Sequence, residues 1–155
     1  MTKRTSSRLV NRTRLVFLSM VGILMLILAI VPTASAEPDL SDLLTAIRQV
    51  ESRGNDKAVG DGGKAIGPYQ IHKAYWQDAV DFDKSIGGSY NDCFDPVYAE
   101  KVVRAYLKRY APKNATLEQM ARIHNGGPKI LKRQGTKAWD NTTKYWQKVK
   151  KELNG

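Results

Sequence analysis

A mainly α-helical domain with one small β excursion near its start is what this 155-residue sequence predicts, on three observations. Apolar residues return at three- and four-residue spacing in separate segments, which marks one face of a helix each time. Helix start signals stand ahead of two of those segments, Asp95-Pro96 and Thr116-Leu117-Glu118-Gln119. A single stretch, residues 55–66, is rich in Gly, Asp and Lys and breaks the helical rhythm, which suits a short hairpin or irregular loops.

The elements follow in chain order. Lys3, Arg4, Arg8, Arg12 and Arg14 precede an apolar run over residues 15–31, then Pro32 and Ala34-Ser35-Ala36. This pattern is that of a secretory signal peptide spanning residues 1–36 and cleaved after Ala36. The run is long for a signal core and just short of a membrane span, so an uncleaved N-terminal anchor is the alternative. Residues 37–155 form one domain, long enough to bury about two-thirds of its unfolded surface without covalent staples.

The first helix carries Leu40, Leu43, Leu44, Ile47 and Val50 on one face, with Gly54 as a left-handed C-cap. Asp61-Gly62-Gly63 is the tight turn of the excursion that follows. Residues 74–82 form another helix, and residues 86–93, with Gly87-Gly88, read as a polar surface loop. Asp95 caps a helix that begins at Pro96, shows Ala99, Val102, Val103, Tyr106, Leu107 and Tyr110 on one face, and is ended by Pro112. The capping box of Thr116 and Gln119 opens a helix that runs to His124, where Gly126-Gly127-Pro128 stops it. The last helix spans residues 143–153, with Tyr145, Val149 and Leu153 inward and lysines outward.

Composition excludes several classes of chemistry. Cys93 is the only cysteine, so the domain has no internal disulfide, and no basic pair flanks it to make a thiolate. It reads as a small buried hydrophobe. No CxxC pair, zinc-spaced histidines or Asp-rich calcium loop occurs, so neither a metal nor another cofactor is indicated. Without residues 1–36 the chain holds 20 Lys and Arg against 15 Asp and Glu. A net +5 draws a protein to polyanions, acidic cell-wall polymers among them, without selecting one.

Glu51 is the residue in which chemistry is concentrated. It falls four residues after Ile47 and seven after Leu44, so a straight helix turns it inward at the end of the element. A carboxyl withdrawn from water favours its protonated form, which is what donation to a departing glycosidic oxygen requires. The plainer alternative is a glutamate whose stem lies along the core edge while its head reaches solvent.

Several further blocks stand in order along the chain: Val50-Glu51-Ser52, Gly67-Pro68-Tyr69-Gln70-Ile71, Tyr75-Trp76-Gln77-Asp78, Val103-Arg104-Ala105-Tyr106, Arg122-Ile123-His124-Asn125-Gly126-Gly127-Pro128 and Lys144-Tyr145-Trp146. Together they resemble the invertebrate-type (destabilase) lysozymes, within the wider lysozyme and lytic transglycosylase superfamily, over nearly all of residues 43–149. Glu-Ser followed by Gly-x-x-Gln also occurs in the transglycosylases; the His-Asn-Gly-Gly-Pro and Tyr-Trp blocks make the combination specific. The resemblance implies a lysozyme-like α+β fold, with Glu51 as general acid and an aspartate before the Gly-x-x-Gln block as second carboxylate. Asp61 is nearest that place, and Asp56 is its rival. Ser52, Tyr69, Gln70, His124 and Asn125 are then the glycan-binding positions, while Tyr75, Trp76, Tyr145 and Trp146 are either sugar platforms or core. A loop aspartate among glycines would stay solvated and ionised, although Asp-Gly is also an ordinary turn dipeptide.

The animal members are densely disulfide-bonded, and this chain departs from them in holding one cysteine. The implied activity is hydrolysis of the β-1,4 bond between N-acetylmuramic acid and N-acetylglucosamine by a cofactor-free monomer. Peptidoglycan strands are its partner, no nucleic-acid partner is expected, and it works in the secreted, periplasmic or envelope space. Two other functions share the motifs: a lytic transglycosylase in which Glu51 acts alone, and a cell-wall-binding protein on the same scaffold without catalysis.

Overall fold

The computed structural model describes residues 39–155 of the chain; the signal-peptide reading of residues 1–36 lies outside them. The described residues form five α-helices and a three-stranded antiparallel sheet, as the sequence predicts. Helix α1 spans Leu40–Ser52, α2 Lys73–Phe82, α3 Pro96–Tyr110, α4 Leu117–Gly126 and α5 Lys137–Leu153. Strands β1 (Val59–Gly60), β2 (Ala65–Ile66) and β3 (Ile71–His72) all fall between α1 and α2. Among the described residues no helix is long and apolar enough to cross a membrane.

Helix α1 starts because Asp39 and Asp42 form a reciprocal capping box. Leu43, Leu44 and Ile47 are then fully buried, and removing a side chain of this size from water is worth about 1.5–3 kcal/mol. Its left-handed C-cap is Arg53 (φ 55°), one residue before the glycine that the sequence suggests; Gly54 is left-handed as well (φ 78°). The pair of left-handed residues turns the chain sharply out of the helix immediately after Glu51 and Ser52.

The β excursion is held by few strand bonds, so its shape depends on contacts made from outside it. Val59 pairs with Ile66, Gly60 with Ala65, and Ala65 and Ile66 with His72 and Ile71. The Tyr90 hydroxyl reaches over the sheet and shares its one hydrogen between the carbonyls of Lys64 (2.8 Å) and Ile71 (2.7 Å). Gly67 (φ 74°) lies against the Cys93 carbonyl, with no room for a Cβ. Asp61–Gly63 form the tight turn between β1 and β2, as the Asp-Gly-Gly reading expects, and all three residues have left-handed φ (47°, 61° and 92°).

Residues 86–93 are less of a free loop than their composition suggests. Short 3₁₀ turns cover Lys84–Ile86 and Tyr90–Phe94, and Cys93 is fully buried beneath them. Burial, then the nearby Asp92 charge, pushes its thiol up to about 12, which agrees with an inert core cysteine. Helices α3 and α4 follow their caps: Asp95 accepts from Tyr98 N, and Thr116 and Gln119 close a full capping box.

Helix α5 begins six residues earlier than the expected Thr143. Thr136 caps it by accepting from Trp139 N, and its first turns are fixed by α4 rather than by an apolar stripe. Arg122, only 4% exposed, donates to Thr142 Oγ1, Thr143 Oγ1 and the Trp139 carbonyl and lies over the Trp139 ring. Its charge is matched by Glu118 at 2.7 Å. A buried guanidinium without these partners would be strongly destabilising, so the whole set acts as one joint between α4 and α5.

Candidate active site

A cleft of about 270 Å³ opens between the helices and the small sheet, lined by Glu51, Asp61, Ala65, Gln70, His72, Tyr75, His124 and Asn125. One wall is helical. Glu51 stands at the end of α1 with its side chain 19% exposed, and His124, from the last turn of α4, brings Nε2 to 3.6 Å from Glu51 Oε1. The imidazole is itself withdrawn from water, its side chain 4% exposed. Its other nitrogen, Nδ1, is 3.1 Å from the Tyr75 hydroxyl.

Two phenols flank this pair. Tyr75 is stacked on Tyr106 of α3, with ring centroids 3.5 Å apart and planes 13° from parallel. Its pKa lies well above the ordinary tyrosine value, first through burial, then through Tyr106 and the Glu51 charge. Tyr145 of α5 is shifted in the same direction by burial and then by Glu51. Its hydroxyl is buried and has no partner in hydrogen-bonding geometry, although it is near enough to feel the Glu51 charge. Both phenols therefore keep their protons and can serve only as neutral hydrogen-bond donors or acceptors near neutral pH.

The opposite wall is the sheet. Asp61 opens the β1–β2 turn with its side chain 63% exposed, and Oδ2 lies 3.4 Å from His72 Nε2. Asp61 (φ 47°) and Gln70 (φ 48°) are both left-handed, an uncommon state for residues other than glycine. The Gln70 amide donates from Nε2 to the Gly67 carbonyl at 3.0 Å, and its Oε1 lies where a Cβ on Gly60 would have to be. The glycine at 60 thus leaves the space in which the Gln70 side chain sits.

The expected site residues separate in space. Glu51, Asp61, Gln70, His124 and Asn125 come together in the cleft. Asp56 does not: it is held by Arg48 at 2.8 Å, beyond the end of α1. Tyr69 is a correction to the expected glycan-binding set, because it is 3% exposed and sits in the core, where burial and then Glu100 push its pKa up to about 12. The left-handed Gln70 turns the chain there, so that consecutive side chains part, one inward and one to the cleft. Ser52 donates to the Arg48 carbonyl within its own helix and does not line the cleft.

Sequence reasoning missed His72 and weighed Tyr75 only as platform or core. His72 is foreshadowed by strand alternation, since Ile71 is buried and its neighbour must face the other way. The partnership of Tyr75 with His124 joins residues 49 positions apart and has no local signal. Among the described residues no group of three or more His, Cys, Asp or Glu is arranged to hold a metal ion. A carboxyl half withdrawn from water beside a neutral donor, facing an exposed carboxyl across a polar cleft, can perform general acid catalysis on a bond laid between them.

Comparison with known proteins gives concordant matches. The destabilase family model matches residues 41–152. A lysozyme of Ostrea edulis is 34% identical over 142 residues, covering 86% of this chain and 96% of the relative. A lysozyme of Magallana gigas is 37% identical over 89 residues, covering 55% of this chain and 58% of that protein. An invertebrate-type lysozyme 6 of Caenorhabditis elegans is 32% identical over 122 residues, 71% of this chain and 84% of the relative.

Proposed function

The chain belongs to the destabilase family, and on that premise we propose that it is a glycosidase that hydrolyses the β-1,4 bond between N-acetylmuramic acid and N-acetylglucosamine in peptidoglycan. Glu51 gives a proton to the departing glycosidic oxygen. Asp61 meets the positive charge that develops on the sugar, either as nucleophile or as electrostatic partner. Export to the secreted, periplasmic or envelope space, read from residues 1–36, belongs to the same proposal, as does action as a monomer.

The observation that carries this reading is one cleft holding two carboxyls in unlike surroundings, Glu51 19% and Asp61 63% exposed. Unequal surroundings are what divide an acid from a charged partner in such sites. Gln70 and Asn125 offer amides to sugar hydroxyls and N-acetyl groups along the same cleft.

Digestion of purified peptidoglycan, followed by mass spectrometry, tests it. Reducing-end muropeptides are expected from the unmutated protein, with their yield from Glu51→Gln lower by about 10² or more. Anhydro-muropeptides would replace the hydrolase by a transglycosylase. Binding of glycan strands without any cleavage would leave only a cell-wall-binding protein.

A further inference from the structure

Tyr75 has no assigned part in the chemistry, yet its hydroxyl touches the one side chain that contacts Glu51 from the α4 end of the cleft. The Oη–Nδ1 distance to His124 is 3.1 Å, and His124 presents Nε2 to Glu51 Oε1 on its far side. The rings of Tyr75 and His124 meet edge-on at 72°, and Tyr106 holds Tyr75 in place from behind.

A neutral imidazole carries its proton on one nitrogen, and the hydrogen bond made by the other decides which. The Tyr75 hydroxyl has one hydrogen to give, and His124 Nδ1 is its hydrogen-bonding partner among the described residues. Leaving a withdrawn O–H without an acceptor costs about 1–3 kcal/mol. That cost favours Tyr75 donating to Nδ1, which leaves the imidazole hydrogen on Nε2, the nitrogen that lies 3.6 Å from Glu51 Oε1.

The two tautomers have opposite consequences for an acid. With Nε2 bare, its lone pair would draw the carboxyl hydrogen of Glu51 inward, away from any substrate. With Nε2–H, the carboxyl offers Oε1 as acceptor, and its hydrogen resides on Oε2. We propose that Tyr75 is a positioning residue that fixes the tautomer of His124 and thereby keeps the acidic hydrogen of Glu51 on the oxygen left to the substrate.

In the acid step that hydrogen passes from Oε2 to the glycosidic oxygen as the bond from the anomeric carbon breaks and its electron pair goes to the leaving oxygen. His124 neither gains nor loses a proton. Its Nε2–H can close the 3.6 Å to the carboxylate that has formed, and the buried Tyr145 hydroxyl, close to the same carboxylate, is a second donor.

The inference rests on Glu51 being the general acid, and the test separates the two. Imidazole ¹H–¹⁵N correlation spectra of the protein as expressed, recorded where His124 is neutral, are expected to show hydrogen on Nε2 and bare Nδ1. His124 carrying its hydrogen on Nδ1 would overturn the proposal without any variant being made. Tyr75→Phe keeps the stack on Tyr106 and is expected to admit the Nδ1–H tautomer, with kcat falling about five- to tenfold at unchanged KM, the size of one lost hydrogen bond. An unchanged kcat, or a loss confined to KM, contradicts it. Glu51→Gln is run beside these: if it keeps its activity, the acid assignment falls and this inference with it, whereas an inactive Glu51→Gln together with an Nδ1–H imidazole sinks the tautomer inference alone.

Discussion

The two walls of the cleft are built on different principles. The helical wall draws Glu51, His124 and Tyr75 from three helices, α1, α4 and α2, and Tyr145 of α5 belongs to the packed core beside them. The sheet wall consists of two-residue strands, and two of its cleft residues, Asp61 and Gln70, have left-handed backbones. One chemical group occurs on both in unlike surroundings, and the proposed reaction gives it two different tasks. Water is kept from Glu51 by what packs around it; Asp61 is delivered to water by a turn. Backbone strain of this kind persists only where neighbouring structure over-determines it, and here Tyr90, Gly60 and Gly67 supply that constraint.

Substitutions on each wall should therefore fail in different ways. The largest effect is expected from Glu51→Gln, with peptidoglycan cleavage falling by about 10²–10⁴ while glycan binding persists, since general acid catalysis is typically of that size. Parallel turnover and binding assays check this. Asp61→Asn comes next, with a loss of about 10²–10³ in kcat, the usual cost of removing an electrostatic stabiliser. Asparagine tolerates a left-handed backbone, so the melting temperature should stay put. A variant that retained full activity would mean that the sheet wall contributes no charge to the reaction.

Gly67→Ala attacks the scaffold of the sheet wall without touching a cleft residue. Its Cβ would collide with the Cys93 carbonyl at a φ of 74°, and a destabilisation of about 2–4 kcal/mol is expected in chemical denaturation. Smaller still is the alkaline response of the core. Tyr69 and Tyr106 are raised to about 12 from 10, and Cys93 to about 12 from 9, each chiefly by burial. Folding therefore favours their neutral forms. That stability is fully present below the ordinary values and is lost as pH climbs from 9 toward 12, so denaturation midpoints should be flat near neutrality and drop across that window.

The same contrast explains what could be read from the sequence. Helical faces were legible wherever a helix buries an apolar stripe: Leu43, Leu44 and Ile47 on α1, and Ala99, Val102, Val103, Tyr106 and Leu107 on α3. The inward turn of Glu51 followed from the same periodicity. The start of α5 was not legible, because Trp139, Thr142 and Thr143 are fixed there by a buried arginine and not by a repeating pattern. Tyr69 misled for a local reason: the left-handed Gln70 beside it sends neighbouring side chains to opposite destinations, and a non-glycine residue in that state has no composition signal. The contact of Tyr75 with His124 depends on how α2 and α4 pack, which no spacing encodes.

The central claim is that two differently housed carboxyls flank one bound sugar linkage. A crystal structure of Glu51→Gln with an uncleaved peptidoglycan glycan strand tests it most directly. The account predicts the scissile oxygen within hydrogen-bonding distance of residue 51 and the Asp61 carboxylate across the adjoining sugar ring. A strand bound elsewhere, or one that passes residue 51 with Asp61 turned away to solvent, would contradict it.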